Sequence, residues 1–449
     1  MFNKYITVCV AAVFPLGFVA SALAQSATPI QATEQQGDGG YSLKGNTLKA
    51  PGANAQQPSA APYELTGSSI SGAAKATEVI LTTPVDASAA PFKTESGLYL
   101  YPTAFAGFGY NSNVGASGTA VVGSSYYNLA PQLVAEIKTK GDRYTALISA
   151  NSTRYTSSMD DNYNKSEVSI AGDNYFSSRA RAGWSIGQVN GTDPRSSNLR
   201  TTVDKWRSTN LNGRMIYGAP EASGRIEIDL GNQIKAYDNT GTDRLDLTVT
   251  SIAGRVFYRL GTRTLALAEV RNAQAKYPSA LSTASSNTER RYYGGLTWEA
   301  SAATTGIIKV GRMTKDFDQA GTEGYGGGSW EATLRWLPLT YSAVDFQTAK
   351  TTGDSSGVGN YQVITSNDII WNHHWSRSMT SRVSVGSLTT DFAGTARTDT
   401  ATNYALTLDY AVRRWLKIGV DFATTDNTST DLNAIYKRNI TMFTLNASL

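Results

Sequence analysis

The sequence predicts an all-β protein, a transmembrane antiparallel β-barrel of about 18 strands that follows a disordered N-terminal segment. Three observations predict this fold: a secretory leader, many short segments in which apolar and polar residues alternate, and connections that alternate between long and short. A period of two is typical of β-strands, because successive side chains point to opposite faces. In a membrane barrel the apolar face contacts lipid and the polar face lines the lumen.

Residues 1–24 have the features of a cleaved signal peptide. Lys4 supplies the positive charge, residues 6–19 form the apolar stretch, and Ala22-Leu23-Ala24 is the cleavage site. The single cysteine, Cys9, lies inside this leader. The mature chain is therefore predicted to have no disulfide, no thiolate metal site and no cysteine nucleophile.

The charge of the mature chain is nearly balanced. Lys4 is the only charged residue of the leader, so 39 basic and 36 acidic side chains remain after cleavage. A protein that binds nucleic acid would show a basic stripe. The composition therefore predicts no nucleic-acid partner, and it also argues against a highly selective anion channel.

Residues 25–93 differ in composition from the rest of the chain. They contain six of the 13 prolines among many Gln, Ala, Ser and Gly residues. Such a segment buries too little apolar surface to offset its backbone entropy, so we predict a disordered periplasmic segment. Two short apolar patches, Tyr63–Leu65 and Glu78–Leu81, suit docking to a partner or plugging of the barrel mouth. A passive spacer is the favoured alternative.

The barrel domain is predicted to cover residues 94–449. Arg225–Leu230 alternates charged and apolar residues, and Trp330–Trp336 and Tyr404–Tyr410 alternate in the same way. A slip of the alternation between Val249 and Ala253 suggests a β-bulge. Each segment is long enough for the about 9–11 residues that a tilted membrane strand needs. The 18 predicted strands are 98–110, 126–138, 142–155, 164–174, 178–187, 206–217, 223–236, 243–259, 264–276, 290–300, 304–316, 328–337, 340–350, 361–374, 380–391, 400–412, 415–424 and 436–449.

The connections between these strands alternate strictly in length. Long ones such as 111–125 and 277–289 are rich in Gly, Ser, Thr, Asn and Asp, whereas Lys140–Asp142 and Arg413–Arg414 are short turns. Outer-membrane barrels have short periplasmic turns and longer external loops, and a soluble sandwich has no reason to sort its loops in this way. We therefore predict a monomeric barrel in the cell outer membrane, surrounded by lipid and lipopolysaccharide.

Aromatic residues are predicted to form girdles at the two membrane interfaces. Most of them fall near strand ends, at the depth that suits amphipathic rings, although aromatic residues are also ordinary strand formers. The residues concerned are Trp184, Trp206, Tyr217, Trp298, Trp330, Trp336, Trp375 and Trp415.

Charged residues that alternate with apolar neighbours are the candidates for the lumen wall. They suit a hydrophilic conduit for a polar solute, or structural cross-strand pairs that brace the wall. A lumen of 18 strands is too wide for side chains alone to fill, so we expect a passage, open or plugged by loops. The candidates are Arg179, Arg181, Arg214, Arg225, Glu227, Asp229, Arg244, Asp246, Glu331, Arg335, Asp409, Lys417 and Asp421.

The sequence offers little basis for catalysis, a metal site or a cofactor. His373 and His374 are the only histidines, and as neighbours in a strand they point to opposite faces. A Ser-His arrangement near Asp368 lacks a nucleophile elbow. The segments 238–243 and 426–431 share the pattern Asp-Asn-Thr-x-Thr-Asp, which suits either calcium or turns. Turns are favoured, and the prediction is that the protein is not an enzyme.

Several segments together resemble one known family. Tyr110–Asn113, Leu129–Leu133, Arg414–Leu416 and Tyr436–Asn439 resemble the outer-membrane β-barrel porins found with exopolysaccharide biosynthesis clusters, over about residues 95–449. The resemblance implies a conduit for a secreted polysaccharide that works with a periplasmic polysaccharide-export protein and an inner-membrane copolymerase. The last residue, Leu449, departs from the aromatic residue common in such barrels.

Two other functions stay open at the level of the sequence. A diffusion porin for small solutes such as sugars needs the same polar lumen as an exporter. A surface enzyme is a third and weaker hypothesis.

Overall fold

The computed structural model describes residues 92–95, 97–139, 141–193, 203–219, 222–280, 282–301, 304–355 and 358–448. The predicted signal peptide and nearly all of the segment 25–93 lie outside the described residues. Within the described ranges, no helix is long and apolar enough to cross a membrane.

The described chain consists of antiparallel β-strands with four single-turn 3-10 helices at Met159–Asp161, Asp243–Leu245, Thr283–Ser285 and Leu432–Ala434. The strands are β1 (Phe92–Lys93), β2 (Tyr99–Asn111), β3 (Ser124–Thr139), β4 (Asp142–Tyr155), β5 (Tyr163–Tyr175), β6 (Ala180–Asp193), β7 (Asp204–Tyr217), β8 (Gly224–Tyr237), β9 (Leu247–Gly261), β10 (Thr264–Lys276), β11 (Asn287–Ser301), β12 (Thr304–Phe317), β13 (Tyr325–Leu339), β14 (Ser342–Asp354), β15 (Tyr361–His374), β16 (Met379–Ala393), β17 (Thr398–Arg413), β18 (Leu416–Ser429) and β19 (Tyr436–Ser448).

Strands β2 to β19 form a closed barrel of 18 strands. Each pairs with its neighbours in the chain, and β19 pairs with β2 from Ile440↔Asn111 to Ser448↔Thr103. The two-residue strand β1 pairs with the start of β2, beyond the end of β19. The 18-stranded antiparallel barrel predicted from the sequence is therefore confirmed, and every predicted strand has one counterpart.

Side chains alternate between a polar inner face and an apolar outer face. On β8, Ile226, Ile228 and Leu230 are 48%, 41% and 46% exposed, whereas the intervening Glu227 and Asp229 are 4% and 0% exposed. In a soluble protein this pattern would be inverted, because apolar side chains would be buried. The outer face is therefore the surface that contacts lipid.

The connections follow the predicted alternation. A connection of 12 residues, 112–123, leads from β2 to β3, and only two residues separate β3 from β4. Long and short connections continue to alternate as far as β15, but the next two connections, 375–378 and 394–397, are both four residues long. Outer-membrane barrels have both ends in the periplasm and their longer connections outside, and the side of the long connections is called external on that basis.

The bulge expected between Val249 and Ala253 is absent. The pairing of β8 with β9 runs without a shift from Gly224↔Tyr258 to Lys235↔Leu247. Val249 and Ala253 are both buried on the inner face. The apparent slip in the sequence arises because these two lumen-facing positions are apolar, not because the strand is irregular.

Candidate functional site on the inner wall of the barrel

Ten of the thirteen predicted lumen residues lie in strands, on the polar inner face. Most are almost completely buried, because they pack against other inward side chains. These ten are Arg181, Arg214, Arg225, Glu227, Asp229, Glu331, Arg335, Asp409, Lys417 and Asp421.

Arg179 is not a lumen residue. It is exposed in the turn that precedes β6, and its backbone N–H donates to the hydroxyl of Ser177 at 3.2 Å. The N–H groups of Phe176 and Ser177 both bond to the carbonyl of Ala180, which closes the turn and delays the start of the strand. The strand that alternation predicted, 178–187, therefore begins two residues before the observed β6.

Arg244 and Asp246 also lie outside the lumen. Arg244 is exposed in the 3-10 turn Asp243–Leu245, and β9 begins only after Asp246. Asp246 Oδ1 accepts a hydrogen bond of 2.8 Å from the backbone N–H of Tyr237. Burial raises the pKa of the Asp246 carboxyl, and the nearby Asp243 and Asp238 raise it further. Asp246 thus closes an external loop, and turn chemistry produced the alternation that resembled a strand.

The inner faces of β7 to β13 carry a continuous chain of ion pairs, which we call the charge belt. It contains six cations and five carboxylates, so its net charge is small. Its members are Arg214, Arg225, Glu227, Asp229, Arg255, Glu269, Arg271, Glu289, Arg291, Lys309 and Glu331.

One half of the charge belt centres on Asp229. The guanidinium of Arg214 donates to Asp229 Oδ1 from Nε at 2.7 Å, and that of Arg255 donates to Asp229 Oδ2. Arg255 also lies 3.7 Å from Glu227 and 3.9 Å from Glu269, which joins β8 to β10. Such buried carboxylates are stable as ions only because each one has cationic partners.

The other half centres on Glu331. Arg271 Nη1 and Arg291 Nη1 donate to Glu331 Oε1 at 3.2 and 3.4 Å, and Lys309 Nζ lies 2.5 Å from Oε2. Arg271 also contacts Glu269, and Arg291 Nε donates to Glu289 at 2.7 Å. Three cations from three strands therefore neutralise one carboxylate on a fourth strand.

The sequence reasoning missed six members of the belt. Glu269-Val270-Arg271 alternates charged and apolar residues in the same way as the residues that were selected, so this pair could have been found. Lys309 and Arg291 also lie in predicted strands. Arg255 and Glu289 complete the belt: the partners of Arg255 are on other strands, whereas Glu289 pairs with Arg291 two residues away.

The external end of β14 turns into the barrel. β14 pairs with β13 only as far as Trp330↔Lys350, whereas its pairing with β15 continues to Asp354↔Tyr361. Thr351 and Thr352 are neighbours in the strand, yet each is only 1% exposed. Beyond Lys350 strand β14 therefore separates from β13, whereas β15 stays paired with β16 as far as Tyr361↔Ala393. We call residues 351–354 with 361–364 the inward hairpin end.

Polar contacts with β11 and β12 hold the inward hairpin end. Thr351 Oγ1 accepts from Arg291, Thr352 Oγ1 donates to Glu289, and Lys315 Nζ donates to Asp354 Oδ1 at 2.6 Å. The hairpin end thus covers the inner faces of two neighbouring strands and narrows the external side of the lumen.

Two smaller ion pairs brace Arg181 and Arg335. Arg181 Nε donates to Asp173 Oδ1 at 2.5 Å, and Arg335 lies 3.7 Å from Asp345. Asp409, Lys417 and Asp421 lie on β17 and β18 at the opposite wall from the charge belt. The predicted lumen residues therefore lie on two parts of the wall. Those on β7 to β13, apart from Arg335, belong to the chain of ion pairs, whereas Asp409, Lys417 and Asp421 on β17 and β18 do not.

The predicted aromatic girdle is present on the outer face, with one exception. His373 packs against Tyr341, Trp371 and Trp375, with ring centroids 5.3, 5.2 and 4.3 Å away. Trp206 instead faces the lumen, where its Nε1 donates to Asp193 at 2.8 Å. Proximity to a strand end therefore gave the depth of Trp206 correctly but not its face.

His374 lies on the face opposite to His373, as the sequence predicts. Its Nδ1 is 3.1 Å from the hydroxyl of Thr380, whereas His373 lies in the outer aromatic cluster.

The described residues contain no group of three or more His, Cys, Asp or Glu side chains placed to hold a metal ion. In the segment 426–431, Asp431 accepts a hydrogen bond from the backbone N–H of Asn433, which is turn chemistry.

Comparison with solved structures gives similar barrels at low sequence identity. A BenF-like porin from Pseudomonas fluorescens Pf-5 is 11% identical, with a TM-score of 0.47 over 80% of this chain and 100% of that chain. OccK2 (OpdF) of Pseudomonas aeruginosa is 9% identical, with a TM-score of 0.46 over 79% and 98%. OccAB3 of Acinetobacter baumannii is 9% identical, with a TM-score of 0.46 over 79% and 99%. No curated protein sequence matches the chain.

The closed barrel, its lipid-facing apolar surface and its charged inner face define an outer-membrane β-barrel protein. The family described as "Putative beta-barrel porin 2" matches residues 96–449, which is nearly the whole barrel. The chain belongs to this porin family and lies in the outer membrane. Porins are channels and not enzymes.

Proposed function

We propose that this protein is a diffusion porin through which small polar solutes cross the outer membrane. One observation carries the proposal: the inner wall is mostly polar, with small buried apolar clusters, and it is narrowed from one side by the charge belt and the inward hairpin end. A polar wall substitutes for the hydration of a polar solute, and a narrowed lumen limits the size of that solute.

Distances across the charge belt support the conclusion that its side chains narrow the lumen. Arg271 on β10 and Glu331 on β13 are three strand spacings apart, which is about 14 Å along the wall. Their side chains nevertheless approach to 3.2 Å. These side chains therefore extend across the curved interior instead of lying flat against their own strands.

Export of an exopolysaccharide is the less favoured function. The sequence resemblance implied it, but the family assignment supports a porin in general and gives no link to polysaccharide clusters. A long polymer needs a passage free of obstruction along its length, whereas the inward hairpin end is fixed by three polar contacts to β11 and β12. The periplasmic export partner likewise has no support beyond the resemblance.

The test is liposome swelling with neutral sugars of increasing size. We expect swelling that falls steeply with the size of the sugar. Asp354→Asn weakens the contact between Asp354 and Lys315, so this variant should admit larger sugars. Asp316→Asn is the matched control, because Asp316 neighbours Lys315 in β12 but is exposed and pairs with Arg290.

Liposomes that contain assembled protein but do not swell with any sugar would refute the diffusion function. Deletion of the gene provides the second measurement. Loss of polymer from the cell surface, with unchanged uptake of small solutes, would favour the exporter instead.

A further inference from the structure

The wall opposite the charge belt carries buried polar atoms that have no hydrogen-bond partner. Buried polar groups in proteins are paired in roughly nine cases out of ten, so each unpaired one requires an explanation. Unpaired atoms occur on several walls of the described barrel, and seven such side chains lie on the inner faces of β16 to β19. We call these seven the unpaired track: Ser384, Asn403, Thr407, Asp409, Asp421, Arg438 and Asn446.

Charged groups of the unpaired track differ from those of the charge belt. Asp409, Asp421 and Arg438 are 8%, 4% and 5% exposed, yet none of them forms an ion pair among the described residues. Lys417 and Arg382 are close enough to Asp409 to influence it electrostatically, but Asp409 Oδ1 has no hydrogen-bond partner. Buried titratable groups without an ion-pair partner are the costliest members of the track, so these three groups are the strongest reason to expect contacts with a polar solute.

Strand register places these atoms in consecutive rows along the barrel axis. Asn403, Thr425 and Arg438 form one cross-strand row, and Asp421 lies opposite Met442, four residues further along β19. Arg438 and Asn446 mark the two ends of the track on β19. Eight residues of extended strand span about 26 Å, so the track runs along most of the lumen.

Gly419 leaves space for one carboxylate of the track. A Cβ at this position would lie 2.6 Å from Asp409 Oδ1 and 2.6 Å from Thr444 Oγ1. The carboxylate of Asp409 therefore extends over β18 at Gly419, and Asp421 lies two residues further along that strand. The two carboxylates and the guanidinium of Arg438 thus lie along one line of the wall.

The track contains donors and acceptors in mixture. Arg438 and the amide nitrogen of Asn403 donate, the carboxylates and the amide oxygen of Asn446 accept, and the hydroxyl of Ser384 can do both. A solute with one sign of charge would be attracted by one end of this line and repelled by the other. A hydroxyl group can both donate and accept a hydrogen bond. A neutral molecule with several hydroxyl groups can therefore form a hydrogen bond with every member of the unpaired track.

We infer that the unpaired track is a binding path for neutral polyhydroxylated solutes, the class of sugars and polyols. This inference rests on the proposed diffusion function and specifies its solute. The charges of the belt lie in ion pairs, so a hydroxyl group must compete there with a neighbouring ion, although single belt atoms such as Glu331 Oε2 have no hydrogen-bond partner. Many weak contacts spread along a path also permit release, which conduction requires.

The test measures ion current through single channels of the assembled protein in a planar bilayer while arabinose is added. Wild-type channels should show a saturable reduction of current by arabinose. In Asp421→Ala and in Arg438→Ala the apparent affinity for arabinose should fall about tenfold, as expected for the loss of one hydrogen bond to a charged group. Proline, which has no hydroxyl group, is the comparison solute and should reduce the current much less.

Two controls remove the same charges from the outer faces of the same strands. Asp426 on β18 and Lys437 on β19 pair with each other at 2.8 Å and are both exposed. Asp426→Ala and Lys437→Ala should leave the arabinose effect unchanged. If a track variant fails to assemble, Ser384→Ala removes one member with minimal change of volume and should weaken the arabinose effect.

Channels that conduct ions and pass arabinose without a saturable effect would overturn the inference and leave the diffusion function intact. An equal loss of affinity in the outer-face controls would also overturn it. Absence of any ion conductance would instead refute the proposed function itself.

Discussion

Arg271 on β10 and Glu331 on β13 meet inside the barrel with Nη1 and Oε1 3.2 Å apart, although two strands separate them in the wall. Both side chains are almost inaccessible to solvent, at 1% and 2% exposure. Lys309 and Arg291, on the two intervening strands, contact the same carboxylate. Four consecutive strands are therefore joined by side chains as well as by their backbone hydrogen bonds.

Removal of one cation from this cluster should be strongly destabilising. Arg271→Met leaves Glu269 and Glu331 with fewer partners in a buried site, and breaking a buried pair costs about 3–5 kcal/mol. We expect a large decrease in the urea midpoint for unfolding of the protein in lipid vesicles.

Arg290→Met is the control for this prediction. Arg290 lies beside Arg291 in β11, but it pairs with Asp316 at 3.0 Å where both side chains are exposed. An exposed pair contributes about 0–1 kcal/mol. Equal and small effects of the two substitutions would show that the charge belt does not brace the wall.

A charged side chain introduced on the outer face should destabilise the barrel, whereas one introduced on the inner face should be tolerated. Ile228 lies on the outer face of β8, between two belt carboxylates that face inward. Ile228→Arg places a guanidinium in the apolar band, which costs about 2–4 kcal/mol near the middle of a bilayer. The urea midpoint in vesicles should fall accordingly.

A charge introduced on the inner face of the same strand provides the comparison. Gln233 faces the lumen, where its amide donates to Ser208 at 3.1 Å. Gln233→Arg should assemble and unfold like the wild type, within about 1 kcal/mol, because lumen substitutions mainly alter selectivity. If Ile228→Arg is as well tolerated as Gln233→Arg, the assignment of the outer face to lipid is wrong.

The barrel could be predicted because each strand carries its own signal. Arg225–Leu230 shows which residues face inward without reference to any other strand, and the short turns limit the register of each pair. The charge belt could not be predicted in the same way, because Arg271 and Glu331 are 60 residues apart and meet only in the closed barrel. Alternation also failed at Arg244 and Asp246, because a 3-10 turn can place charged and apolar residues in the same order as a strand.

The orientation of the barrel can be tested with single cysteines, because the only natural one, Cys9, lies in the predicted leader. Ala320 is exposed in the connection after β12, and Thr262 is exposed in the turn between β9 and β10. If the long connections are external, a membrane-impermeant maleimide should label Ala320→Cys in intact cells. Thr262→Cys should be labelled only after the outer membrane is permeabilised.

Wild-type protein is the control for the labelling, and it should remain unlabelled in both conditions if the leader is removed. Labelling of the wild type would show that Cys9 is retained in the mature chain. Labelling of Thr262→Cys but not of Ala320→Cys in intact cells would place the short turns outside. In that case both ends of the barrel would face the cell exterior, and the orientation expected of an outer-membrane barrel would be wrong.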